Sequence, residues 1–207
     1  MRIQPIVEGA GETEALPELL RRLRDASGAY ALTFNKPLRR KRSELVNETP
    51  LRKAVGLALR QGCEGILILF DSDKDCPRVV APQVQTWARS EAPGVRCEVV
   101  LAHCEYEAWF LGSLESLRGR RGLSGDAISL ADPESVRGAK ERLQAMGELR
   151  RYAPTRDQAA LTALFDLAAA YRSCRSFRRM VRAFGLLAEG VGVPLTDWPP
   201  PSWLTAP

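Results

Sequence analysis

The run Ile66-Leu67-Ile68-Leu69-Phe70, closed by Asp71-Ser72-Asp73-Lys74-Asp75, constrains this chain more than any other feature. Consecutive apolar residues of strand length, with no polar alternation, imply a strand covered on both faces. Such a strand belongs to a sheet with helices on either side. The acidic run then stands at the strand's carboxyl end. In a parallel α/β sheet the carboxyl ends of the strands share one edge, and ligands bind there.

The rest of the chain fits that frame. Residues 3–7 read as a short buried strand. Residues 13–26 read as a helix, with Leu16, Leu19, Leu20 and Leu23 at helical spacing and Pro17 in the first turn. A weak second strand is expected over 29–34, helices over 51–61 and 80–92, and a further strand over 95–102. Strands alternating with helices predict a Rossmann-like, mainly parallel sheet. Past Glu105 the pattern is helical, over 106–117, 136–146, 158–171 and 177–189. The expected organisation is an α/β core over 1–117, a helical segment packing on it over 118–192, and a tail over 193–207. That tail holds Pro194, Pro199, Pro200, Pro201 and Pro207 and is expected to be extended and irregular.

Composition narrows the function classes. A length of 207 residues suits one packed domain. No apolar run approaches the roughly 20 residues of a membrane span. The start, Met1-Arg2-Ile3-Gln4, is charged too early for a signal peptide, so a cytoplasmic location is expected. The five cysteines form no C-x-x-C pair, which argues against a disulfide framework or zinc ribbon and for reduced, mostly buried thiols. His103 is the sole histidine, so a histidine-rich metal site is excluded.

The net charge of +5 is modest, but it is clustered. Lys36, Arg39, Arg40, Lys41 and Arg42 form one basic group, Arg118, Arg120 and Arg121 a second, and Arg172, Arg175, Arg178, Arg179 and Arg182 a third. Each is either a solvated face or a phosphate-contacting surface. The first, flanking the sheet, is the candidate nucleic-acid contact.

Three acidic groups fall at expected strand ends. Glu8 ends the first strand, followed by Glu12. Asp71, Asp73 and Asp75 follow the central strand, and Glu105 and Glu107 follow the last. In extended chain, Asp71 and Asp73 would project to one side. Carboxylates so crowded require a cation or bound protons. Hard oxygen donors without histidine select Mg²⁺ or Mn²⁺. Glu12 can equally be read as an acid favouring a helix N-terminus.

Other readings of these residues meet specific obstacles. A calcium loop beginning at Asp71 would need Gly and Glu where Cys76 and Pro82 stand. A dinucleotide fingerprint at Gly9 would need Gly at Glu14. A haloacid-dehalogenase-like phosphatase fits Phe70-Asp71-Ser72-Asp73, with Asp71 as nucleophile, Asp73 as acid and Lys140 in a later motif. It leaves Glu8 without a role.

The combination Val7-Glu8-Gly9, Asp71-Ser72-Asp73 and the strand-end Glu105 or Glu107 resembles the TOPRIM (topoisomerase–primase) superfamily, including its OLD-type nucleases. The likeness covers about residues 1–110. The passages from Leu69 to Pro77, from Glu105 to Phe110 and from Ser173 to Arg179 make nearly the whole chain similar to a small family of bacterial TOPRIM-like proteins. The resemblance implies a Mg²⁺- or Mn²⁺-dependent nuclease. Glu8 would be the general base or a metal-associated acid, and Asp71 and Asp73 would hold the metal. Glu12, Asp75, Glu105 and Glu107 would be further metal candidates, and Lys74 and Lys140 candidates for stabilising a phosphate. It also implies an ATPase partner and a part in phage defence. The alternative is a non-catalytic or partner-activated subunit, since no substrate-choosing domain is attached.

Overall fold

A computed structural model describes residues 1–147 and 152–205. Pro207, at the end of the proline-rich tail, lies outside the described residues. The strands are β1 (Arg2–Val7), β2 (Thr33–Phe34), β3 (Leu38–Arg39), β4 (Gly65–Asp71) and β5 (Arg96–Ala102). The helices are α1 (Glu12–Ser27), α2 (Arg42–Leu45), α3 (Glu48–Arg60), α4 (Pro77–Glu91), α5 (Ala108–Leu111), α6 (Ala139–Ala145), α7 (Pro154–Thr162), α8 (Leu167–Ser173) and α9 (Arg175–Gly190).

Every strand pairs in parallel. β2 and β3 lie in succession along one side of β1, β4 lies along the other, and β5 lies beyond β4. The chain thus winds outward from β1 in one direction and then crosses back to β4. The order reverses between β1 and β4, and a reversal of this kind opens a crevice at the carboxyl edge.

Side chains along the strands alternate between two cores. Ile3, Val7, Leu67, Leu69 and Val100 face a layer containing α1 and α9. Ile6, Ile66, Ile68, Phe70 and Val99 face a layer containing α3 and α4. The uninterrupted apolar run of β4 is therefore explained: both of its faces are buried. In α1 the leucines Leu16, Leu19, Leu20 and Leu23 form the buried stripe. In α9, Phe177, Met180, Val181, Phe184 and Leu187 do the same, each burial stabilising by about 1.5–3 kcal/mol. α7 packs against α1, and α9 lies over β5 and β4. Among the described residues no helix is long and apolar enough to cross a membrane.

Several local expectations are corrected. α1 opens at Glu12, so Pro17 falls in its second turn and gives up an intrahelical hydrogen bond. The second strand shrinks to β2, because a tight turn, in which the Leu32 amide donates to the Ala29 carbonyl, occupies the start of the expected span. The expected helix over 106–117 breaks after Leu111, where Gly112 packs against Ser173 and Cys174 with no room for a Cβ. The expected helix over 158–171 divides into α7 and α8, because the Asp166 carboxylate caps α8 by accepting from the Ala168 and Ala169 amides. The tail is docked rather than simply extended: Trp198 donates to the Val181 carbonyl at 2.9 Å, and Trp203 is buried in a 3₁₀ turn. All five thiols are free, but only Cys97 and Cys174 are buried, and Cys76 is exposed.

Candidate functional site

The carboxyl edge gathers acids from distant parts of the chain. Glu8 follows β1, Asp71 ends β4, and Glu107 follows β5. Glu12, from the first turn of α1, is buried beside them, and Gln158 of α7 joins it to Glu107. The Gln158 amide donates to Glu12 Oε1 and to Glu107 Oε1, each at 3.3 Å. Tyr152 donates to the same Glu107 oxygen at 2.8 Å.

Two loops are stitched together to hold these groups. The Ser72 amide donates to the Ala102 carbonyl, and the Cys104 amide donates to Ser72 Oγ at 2.9 Å. Asp71 Oδ1 accepts from the Tyr106 amide at 2.9 Å. Asp73 and Cys104 take left-handed conformations, with φ of 49° and 60°. That turn changes the expected relation of Asp71 and Asp73. The backbone leaves the extended state between them, so they do not project as neighbours on one strand face.

Instead, two cations divide the acids. Lys140 Nζ lies 3.7 Å from Asp71 Oδ2 and 3.7 Å from Glu107 Oε2. Arg42 lies 3.3 Å from Asp73, 2.5 Å from Asp75 and 3.8 Å from Glu8. The sequence groups Arg42 with the phosphate-contacting segment; its guanidinium turns inward to the acids instead. Within that segment, Arg39 donates to the Glu8 carbonyl and is exposed, as are Lys36 and Lys41, while Arg40 is half-buried. A cleft of about 430 Å³ opens beside the acids, lined by Arg42, Asp73, Lys74, Asp75, Glu105 and Arg137, among others. Glu105 accepts the Lys140 backbone amide at 3.0 Å.

The electrostatics follow from burial. Burial lifts the Glu8 carboxyl above its usual range; Arg42 opposes this, and Asp73 and Glu12 reinforce it. Burial and the Glu107 charge lift Asp71 well above its usual range, against Lys140. Burial pushes Glu107 up to about 7, opposed by Lys140 and by the Tyr152 hydrogen bond. Burial alone would lower Lys140, but Glu107, Asp71 and Glu105 outweigh it and hold the ammonium above the lysine range.

Three buried carboxylate oxygens, Glu8 Oε2, Glu12 Oε2 and Glu107 Oε2, have no hydrogen-bond donor, and neither does Gln158 Oε1. Among the described residues, no group of three His, Cys, Asp or Glu side chains stands arranged to hold a metal ion. The donor set is nonetheless chemically suited to one, being all hard oxygen with orphaned atoms at its centre. Glu8, Asp71 and Asp73 would hold a divalent cation on turning from Arg42 and Lys140. Tyr152 and Gln158 carry no local sequence signal; Gln158 is brought in by the docking of α7 against α1, and Tyr152 by the segment that leads into α7.

Residues 7–184 match the model of the family described as Domain of unknown function (DUF4276). The chain belongs to this family. The match to DUF4276 takes in every acidic residue named above and runs on through α7 and α8 into α9. Neither the curated proteins nor the solved structures contain a match.

Proposed function

We propose that this DUF4276 protein is a TOPRIM-type nuclease that cleaves nucleic-acid phosphodiesters with Mg²⁺ or Mn²⁺. The observation that carries the reading is the orphaned buried oxygens of Glu8, Glu12 and Glu107, at the carboxyl edge beside Asp71. Lys140 and Arg42 approach two of these oxygens only to 3.7 and 3.8 Å, and a small hard cation would draw them closer. A bound divalent cation would polarise the phosphoryl group and acidify water. Glu8, at the carboxyl end of β1, would accept the proton of the attacking water. Lys140 would offset charge developing on the phosphate. Arg39, Arg40 and Lys41 beside the acids, with Lys74 and Arg137 at the cleft, would grip the flanking backbone phosphates.

The deciding experiment incubates the purified chain with plasmid, single-stranded DNA and tRNA, each with Mg²⁺, Mn²⁺ or EDTA. Metal-dependent cleavage lost in Glu8→Gln, with the fold intact by circular dichroism, is the expected result. Cleavage that occurs only with an ATPase added would make the chain a partner-activated subunit, the form suited to the proposed role in phage defence.

One contact favours a second reading. Lys140 stands 3.7 Å from Asp71 Oδ2, as an ammonium would beside an attacking carboxylate in a phosphatase. A phosphatase would leave Glu8, at the same carboxyl edge, without a role. Mass spectrometry detecting an aspartyl-phosphate at Asp71, with Glu8→Gln still active, would falsify the nuclease reading.

A further inference from the structure

Arg42 is held by many partners for a side chain next to an exposed basic segment. Its Nε faces Asp73 Oδ2 at 3.3 Å, and its Nη2 meets Asp75 Oδ2 at 2.5 Å. It also donates to the backbone carbonyls of Asp71 and Ser72. The guanidinium rests over the Phe70 ring, 5.5 Å from its centroid. Its backbone opens α2, where the Lys41 amide and the Glu44 carboxylate close the turn. The side chain is only 20% exposed.

We propose that Arg42 is the acidic site's internal counter-cation and competes with a divalent cation for the carboxylates of Glu8 and Asp73. The inference rests on the metal-dependent reading above. Arginine does not lose its proton in proteins, so its charge is permanent. A planar fork satisfies oxygens lying in its plane and directions. It hydrogen-bonds Asp75, makes only an ion pair with Asp73 at 3.3 Å, and stops 3.8 Å from Glu8 Oε2, which remains without a donor. The clamp therefore offsets part of the cluster's charge without satisfying its oxygens. A small hard cation can draw oxygens to 2.0–2.1 Å, roughly the range Mg²⁺ demands. To do so here it must take Glu8 and Asp73 from the guanidinium. Arg42 thus sets how tightly the site admits a metal, which makes it a positioning residue for the acids.

The test measures Mn²⁺ binding calorimetrically on the whole chain, without nucleic acid. Arg42→Gln removes the competing charge and is expected to bind Mn²⁺ about tenfold or more tightly than the wild type, a gain of about 1.4 kcal/mol or more. Arg42→Lys keeps a charge but loses the fork, and is expected to fall between the two. Should Arg42→Gln fail to fold by circular dichroism, the lysine variant decides alone. Equal or weaker Mn²⁺ binding by the folded variants, with the wild type binding, overturns the competition and leaves the metal reading standing. Absence of Mn²⁺ binding by wild type and variants alike overturns both together.

Discussion

Tyr152 donates its phenolic proton to Glu107 across 45 residues of sequence, at 2.8 Å and in a buried setting. Burial and the neighbouring Glu107 charge raise the Tyr152 hydroxyl far above its usual range, so it stays a donor. Tyr152→Phe would leave Glu107 Oε1 with only the longer Gln158 hydrogen bond. We expect a drop of about 1.5–3 kcal/mol in urea unfolding at pH 8 with EDTA present. A drop below about 0.5 kcal/mol, the level of an ordinary surface change, would mean that the hydrogen bond does not matter.

The protonation of Glu107 makes stability depend on pH in a definite direction. Its pKa rises from 4.5 to about 7 on folding, so the native chain keeps a proton that the unfolded chain releases within that window. Stability contributed by that proton is present below pH 4.5, declines as pH rises to 7 and is flat above. The decline is on the order of 3 kcal/mol. Glu107→Gln has no such proton to lose. In EDTA it should show a shallower slope between pH 5 and 8, with Asp71 and Glu8 supplying the remainder, and it should be the more stable protein at pH 8. Identical slopes would show that Glu107 ionises freely in the native state.

Gly11 sits where α7 closes the site. A Cβ there would lie 2.8 Å from Pro154 Cβ and would strike the Gln158 amide. Gly11→Ala must push α7 outward and pull Gln158 from Glu12 and Glu107. We expect a cost of about 1–3 kcal/mol by thermal melting, together with a weaker Mn²⁺-induced rise in Tm. Gly125, where a Cβ meets nothing within 4 Å, is the control, and Gly125→Ala should melt like the wild type.

Arg39 and Arg40 remain the candidates for phosphate binding now that Arg42 is engaged elsewhere. The double change Arg39→Gln/Arg40→Gln should weaken binding to every nucleic-acid sequence alike. It should also reduce the slope of log K against log salt by about 0.9 for each duplex phosphate that is no longer neutralised. Fluorescence anisotropy between 50 and 200 mM salt, roughly the range over which phosphate binding shows most clearly, measures both. An unaltered slope returns the segment to a solvated face.

What the sequence made legible follows from the range of each interaction. The β4 run and its terminal aspartates are local features, and they mark a buried strand and its carboxyl end without tertiary information. The convergence of Glu8, Asp71 and Glu107 follows from one rule about parallel sheets. The inward turn of Arg42 does not, because a guanidinium in a basic run looks like its neighbours until the Asp71 carbonyl and Asp75 carboxylate meet it. Gln158 and Tyr152 are ordinary residues in ordinary surroundings, and their role exists only in the packing of α7 and of the segment that leads into it. Gly112 and Asp166 mark helix breaks that apolar periodicity passes over.

The Gln158–Glu12 hydrogen bond joins positions 146 residues apart. A chain leaving the ribosome presents Glu8, Glu12 and Asp71 long before α7 exists. Until α7 is made, the pocket has no wall on that side. The order in which the polypeptide is made therefore sets a clock: the pocket closes only after α7 has been made.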